Sequence, residues 1–502
     1  MTRAAGRLVA TALALALVGG CAARQSGPSS VDAHGTAAGP AAASGLAADA
    51  AVAEAVDRRM TAVEALALWS VRIERADTGA VIASRNAERL MLPASNMKIV
   101  TLAAAATRLG WDYRFRTRVH ATGRRDGHVL HGDLVVVGGA DPTIGHGPDP
   151  RAVFRDWARQ LRAQRIQRIE GDLVGDPSRF GEEWLGGGWS WDDLGFGYAA
   201  PYSGLIFTEN VTRVRVTPAA SEGGAATVTL GPPGTGLALR ADVTTSAAGA
   251  TTAVRVHRTL EQPIIEITGS VAAGDSPVER TVAVPDPPRY FLGVLRTVLA
   301  SEGIEVRGRT RVATTLDAAL GPPVLTHESA PLSVVAQRFM KVSQNLYGEV
   351  LLRAVAARAG GPASPTSVRT ALQESLDGLG VARGAVSALD GSGLSRRDFV
   401  TSQALITLLR AMDAPPHREP FRATMPIAGR DGTLATRFEG NACAGRLLGK
   451  TGTLANTRAL SGYITSASGT PYVFSVMANN FVVATREIDT IVEDVLGLVC
   501  AS

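Results

Sequence analysis

Lysine is nearly missing from this chain of 502 residues. Lys98, Lys341 and Lys450 are the only three among 51 basic side chains, and the other 48 are arginine. Arginine does not give up its proton in a protein, whereas lysine does when it is buried or placed beside another cation. A chain that uses arginine wherever charge alone suffices marks each lysine as a candidate for a role arginine cannot fill. A large excess of either charge is also lacking. The net charge is +5, and the arginines are scattered, with no basic tail or basic helix. Nothing here supports a nucleic-acid partner. The eight histidines form no metal pattern. His128-x-x-His131 lies near Asp133 in an expected turn, without a helix or a fourth ligand, and reads as a surface loop. No cofactor is called for.

Long apolar runs are lacking except at the start. Arg3 and Arg7 precede an apolar stretch from Leu8 to Val18, too short to span a bilayer comfortably and shaped like an export signal. It ends in Val18-Gly19-Gly20-Cys21, which resembles a bacterial lipoprotein signal that leaves a lipid-modified Cys21; ordinary secretion with cleavage among the alanines is the alternative. Either way the chain is expected outside the cytoplasm, in the periplasm, tethered or free. With Cys21 set aside, Cys443 and Cys500 form an even pair in an oxidising compartment and are expected to be disulfide-bonded.

Residues 22–50 are Ala, Gly, Ser and Pro with almost no large apolar side chain, and read as a flexible tether. A helix is expected over 51–67, then a hairpin of 69–74 and 80–84 around Asp77-Thr78-Gly79. From 113 to 325 the texture changes to short strands, turns and glycines, with amphipathic helices at 151–165 and 290–301 and a small β subdomain at about 211–284. Helices return at 332–341, 345–358, 367–379 and 402–412. Strands follow at 458–464 and 472–478, and a closing helix at 488–498. Strands at both ends with helices between them predict one α/β domain, 51–112 and 326–502, interrupted by the 113–325 insertion.

Ser95 and Lys98 stand three apart at an expected helix start, so hydroxyl and amine share one face. A serine beside a lysine is one way to build an activated nucleophile without histidine. Taken alone the spacing is weak. The second lysine, however, precedes Ser343-Gln344-Asn345, and the third opens Lys450-Thr451-Gly452-Thr453. Ser-x-x-Lys, Ser-x-Asn and Lys-Thr-Gly, in that order and between them touching every lysine of the chain, are the motif set of penicillin-binding proteins and serine β-lactamases.

The 244 residues between Lys98 and Ser343 exceed what a compact β-lactamase places there. With Gly138-Gly139-Ala140-Asp141-Pro142-Thr143, Ser343 to Tyr347, Asp390-Gly391-Ser392-Gly393-Leu394-Ser395-Arg396 and Gly429 to Leu434, the chain from about residue 50 onward resembles the D-alanyl-D-alanine carboxypeptidase/endopeptidase family (peptidase family S13, class C low-molecular-mass penicillin-binding proteins). Ala140 stands where that family more often has glycine. The resemblance implies a penicillin-binding-protein/β-lactamase-like transpeptidase domain, an antiparallel sheet with helices, interrupted by a large β-rich insertion. It also implies peptidoglycan stem peptides and cross-links as substrates and β-lactams as inhibitors.

It further implies roles. Ser95 would be the nucleophile, Lys98 the base, Ser343 a proton relay and Asn345 a holder of the substrate amide. Lys450, with Thr451, Gly452 and Thr453, would bind the terminal carboxylate, and the N–H groups of Ser95 and Thr453 would form the oxyanion hole. Asp193 and Tyr198, in the aromatic stretch that begins Trp189-Ser190-Trp191, and Arg396 match positions that face the free end of a diaminopimelate side chain; an ordinary loop is the alternative. Two competing functions stand beside this one: a serine β-lactamase, for which no dedicated glutamate base can be assigned, and a wall-binding scaffold with a dead site.

Overall fold

The computed structural model describes residues 40–181, 183–258, 263–313, 320–358, 360 and 362–502; the export signal, Cys21 and the first part of the expected tether lie outside them. A five-stranded antiparallel sheet carries the architecture. Its order is Val81–Arg85, Leu68–Arg75, Pro471–Asn479, Thr457–Thr465 and Leu447–Leu454. The first long strand pairs with the last, from Leu68 opposite Asn479 to Arg75 opposite Tyr472. An early hairpin and two late strands therefore complete one sheet around everything between them.

Both faces of that sheet are buried, and the strand period of two divides its side chains between two cores. Trp69, Val71, Ile73, Phe474, Val476, Leu460 and Ile464 face one core, closed by the helices Pro40–Ala62 and Thr485–Ala501. Val473, Met477, Ala459 and Tyr463 face the other, against the helices Met97–Leu109, Leu332–Lys341, Asn345–Ala357 and Ser402–Met412. Ten of the thirteen residues of Met97–Leu109 are buried, so this helix runs through the second core. Cys443 and Cys500 are joined by a disulfide that ties the end of the last helix to the loop before Leu447.

The expected tether ends sooner than its composition suggested. Helix Pro40–Ala62 begins inside it, and Asp49 is buried, accepting from Arg75 Nη1 (3.2 Å) and the Tyr472 hydroxyl (3.0 Å). The small residues there are mostly alanine, the strongest helix former, and helix needs no large side chains once one face can pack. The expected helix end at 67 instead breaks at Ala62, with a short 3-10 turn Glu64–Leu66 before the first strand.

Between residues 113 and 325 the chain builds two mixed sheets packed with the helices Ala152–Ala163 and Pro287–Ser301 around Phe154, Trp157, Phe207 and Phe291. Two three-stranded sheets, whose strands run from Val211 to Ala283, enclose a separate small core of Val214, Val216, Ile265, Ile267 and Val282. His131 ends the short strand Val129–His131, with His128 in the turn before it. Ala140 has φ +54°, a left-handed conformation that glycine adopts without strain. Among the described residues, no helix is long and apolar enough to cross a membrane.

Candidate active site

Ser95 does not open an α-helix directly. It sits in a 3-10 turn, Ala94–Asn96, that feeds the helix Met97–Leu109, and Ala94 before it is held at φ +45°. Two glycines make room for this turn. A side-chain carbon at Gly393 would lie 1.8 Å from the Ala94 carbonyl oxygen, and one at Gly452 would lie 2.5 Å from that of Pro93. The Lys450-Thr451-Gly452 strand thus runs directly beside the serine turn, as close backbone approach allows only for glycine. Asn96 anchors the turn from below, donating to Ser461 Oγ at 2.7 Å.

One turn further on, Lys98 is fully buried. Its ammonium donates to Ser95 Oγ (2.8 Å), Asn345 Oδ1 (2.6 Å) and the Ser392 carbonyl (2.8 Å), so its three donors are all engaged. Burial pulls its pKa down to about 7, against the opposing pull of Asp390, Glu349 and Asp398. Lys450, also buried, donates to Ser343 Oγ (2.9 Å) and the Thr451 carbonyl (2.8 Å). Its pKa is pushed well below the ordinary lysine value by burial and then by the Lys98 charge. The two lysines therefore compete for positive charge.

The second motif is held by the insertion. Ser343 is strained at φ +61°, in the break between two helices. Glu209, itself in a left-handed turn, accepts from Arg338, from Gln344 Nε2 (2.7 Å) and from the Tyr347 hydroxyl (3.2 Å), gripping both sides of that break. Asn345 Nδ2 donates to the Tyr198 carbonyl at 2.9 Å, which docks the aromatic loop of the insertion on the same spot.

Ser95, Ser343, Asn345, Thr451, Thr453, Asp193, Tyr198 and Arg396 all line one cleft of about 690 Å³. Asp193 accepts from the Tyr198 hydroxyl (2.7 Å), and Arg396 donates to the Ala455 carbonyl (3.2 Å). Tyr202, four residues after Tyr198, is buried instead, with the Arg353 guanidinium 3.5 Å over its ring. Lys341 also stands apart, donating to the Met425 carbonyl (3.0 Å) and pairing with Asp431. The scarcity of lysine thus marks two ammoniums in the cleft floor and one ordinary ion pair beside it.

Several residues of this site carried no role in the sequence. Asp390 accepts from the backbone N–H groups of Ser392 (3.0 Å), Gly393 (2.6 Å) and Ser395 (2.8 Å), folding the turn that presents the Ser392 carbonyl to Lys98. Glu349, raised to about 7 by burial and by Asp390, accepts from Gly391 N (2.9 Å) and pairs with Arg353 (3.1 Å). Asp398, buried beside Asp390, is raised well above the carboxylate range. Thr433 shares a 2.6 Å hydrogen bond with Thr451. An Asp-Gly-Ser-Gly string reads only as turn chemistry until its neighbours are known.

The arrangement can carry out acyl transfer: a nucleophile with an adjacent amine of low pKa, a second buried cation, and a cleft open to an extended ligand. The comparisons with known proteins agree. D-alanyl-D-alanine carboxypeptidase of Actinomadura sp. is 34% identical over 417 residues, 80% of this chain and 76% of that protein. D-alanyl-D-alanine carboxypeptidase DacB of Haemophilus influenzae is 28% identical over 410 residues, 80% and 83% of the two chains. The crystal structure of penicillin binding protein 4 (dacB) from Haemophilus influenzae shares the fold, with a TM-score of 0.79 at 24% identity over 89% of this chain and 99% of that one. The fold is thus the penicillin-binding type with inserted domains that the resemblance implied. A family model matches residues 52–497, essentially the whole folded body, and the chain belongs to the D-Ala-D-Ala carboxypeptidase 3 (S13) family.

Proposed function

We propose that this chain is an exported, penicillin-sensitive serine peptidase that removes the terminal D-alanine of peptidoglycan stem peptides and also cuts their D,D cross-links. One observation carries the reading: a fully buried lysine with pKa near 7 whose amine lies 2.8 Å from the Ser95 hydroxyl.

In this reading neutral Lys98 takes the Ser95 proton as Oγ bonds to the carbonyl carbon between two D-alanines. The oxyanion rests on the N–H groups of Ser95 and Thr453. The C–N bond then breaks as the departing amine receives, through Ser343, the proton that Lys98 took up. Water attacks the ester carbonyl and gives a proton to neutral Lys98, the bond from carbon to Ser95 Oγ breaks as Oγ takes that proton back, and the shortened peptide leaves. Asn345 already spends one N–H on Tyr198 and one lone pair on Lys98; its remaining N–H and lone pair suit the substrate amide. The terminal carboxylate pairs with Lys450 and the Thr451 and Thr453 hydroxyls. Because the two lysines compete for charge, an anionic substrate that fixes the charge on Lys450 also favours the neutral form of Lys98.

Asp193 and Arg396 supply one anion and one cation to the same cleft, which suits the zwitterionic end of a diaminopimelate side chain. A β-lactam that mimics the dipeptide would acylate Ser95 and be released slowly. Among the described residues lining the cleft there is no glutamate to serve as a dedicated deacylating base, which disfavours the β-lactamase reading. The apolar stretch Leu8–Val18 followed by Cys21 supports export to the periplasm with a lipid anchor.

Incubation with a D-alanyl-D-alanine pentapeptide and, separately, a cross-linked muropeptide tests both activities by mass. Loss of one D-alanine from the first and separation of the second are expected, and neither with Ser95→Ala. An intact pentapeptide would overturn the carboxypeptidase reading, and an intact cross-link the endopeptidase one.

A further inference from the structure

The nucleophile helix has a second end. Its thirteen residues span about 20 Å, and beyond Leu109 and Gly110 lies a separate cleft of about 470 Å³. Five arginines line it: Arg114, Arg116, Arg118, Arg179 and Arg358. They come from three places in the fold. Arg116 and Arg118 alternate with buried Thr117 and Val119 along the strand Arg116–Ala121 that leads into the insertion, so they share one face about 7 Å apart, and Arg114 stands just before it, ahead of buried Phe115. Arg179 comes from the 3-10 turn Ser178–Phe180, and Arg358 caps the end of the helix Asn345–Ala357.

These charges are poorly matched by anions. Arg116 pairs with Glu328 (2.7 Å), and Arg114 donates to the Ser329 carbonyl (2.7 Å). Among the described residues, Arg118, Arg179 and Arg358 have no carboxylate partner within 4.0 Å, and Asp112 is the one acid lining the cleft. Its wall also holds Trp111 and Tyr113. Burial raises the Tyr113 hydroxyl's pKa, against the charges of Arg179, Arg116 and Arg358 and together with that of Asp141. Like charges gathered at this density repel one another and are stabilised by a bound polyanion. Arginine is the side chain suited to it, since its planar fork takes phosphate oxygens two at a time.

We propose that this cleft binds a linear polyanion through successive phosphate groups. The run of alternate arginines, Arg114 before the strand and Arg116 and Arg118 on it, matches repeated charges better than a single ion. The Ser95 cleft, at the opposite end of the helix, stays open while the polymer is held.

Fluorescently labelled long-chain inorganic polyphosphate tests this by anisotropy, with inorganic phosphate as competitor and phosphatidylglycerol vesicles as a second probe. The wild-type protein is expected to bind polyphosphate with an affinity that falls linearly with salt on logarithmic axes, as released counterions require. The combined variant Arg118→Gln, Arg179→Gln, Arg358→Gln should bind about tenfold or more weakly, with thermal unfolding at the same or a higher temperature and unchanged acylation of Ser95 by penicillin. Absence of polyphosphate binding, or equal binding by the variant, would overturn the proposal. So would displacement by inorganic phosphate at equal phosphate concentration, which would mean a single-ion site, or binding to vesicles without binding to polymer.

Discussion

Trp189 Nε1 donates to Asp390 Oδ2 at 2.7 Å, and through this bond a loop of the insertion reaches the floor of the catalytic cleft. Asp390 folds the turn whose Ser392 carbonyl receives the Lys98 ammonium, so the tryptophan helps fix a group it does not touch. Two substitutions separate position from charge. Trp189→Phe keeps the carboxylate but loosens the turn, and should slow acylation by penicillin about tenfold without moving the pH midpoint. Asp390→Asn removes an anion that raises the Lys98 pKa, so the midpoint should move to lower pH. Identical midpoints for Asp390→Asn and wild type would rule out this electrostatic link.

The base must be neutral to accept a proton, and Lys98 loses its own near pH 7. Acylation of Ser95 by penicillin should therefore rise with pH, half-maximal at about 7, and be lost as pH falls below it. Lys98→Arg places a permanent cation there and should cost about 10²–10⁴-fold in the acylation rate. A pH–rate series on both proteins checks this; an arginine variant that acylates at wild-type speed removes Lys98 from the role.

Asp193 and Arg396 line the same cleft as Ser95, whose hydroxyl is bonded to Lys98. Asp193→Ala should raise KM for diaminopimelate-containing peptides about tenfold, the worth of one charged hydrogen bond, while penicillin acylation keeps its rate. Kinetics on matched peptides with and without the free side-chain end would reveal the selectivity, and equal loss on both would show that the aspartate merely supports its loop.

The Cys443–Cys500 bridge lies in the core beneath the sheet, on the side opposite Met97–Leu109, and closes a loop with a sequence separation of 57. Replacing both cysteines by serine should lower unfolding stability by about 2–4 kcal/mol and leave penicillin acylation unchanged. Denaturant titration measures the first and active-site labelling the second.

Much of this molecule is legible in the chain itself. Three lysines in a chain of arginines, each at or beside a short motif, located the cleft. Apolar periodicity placed most helices that cover the sheet, because burial on one face leaves a pattern in the chain. Residues 40–50 are harder: an alanine-rich stretch reads the same whether it packs as a helix or trails as a tether, and Asp49, buried between Arg75 and Tyr472, distinguishes them.

What the sequence determined by itself is the chemistry available: a hydroxyl, two amines that can lose protons, an amide, and the order in which they occur. Tertiary structure decided what those groups are. Lys98 has a pKa near 7 only because the fold removes it from water, and Lys341 stays an ordinary ion pair because the fold leaves it partly exposed beside Asp431. The acids that oppose burial at Lys98 come from residues 349, 390 and 398, some 250 to 300 positions away. Desolvation and Coulomb interaction depend on distance in space, which the order of residues does not record.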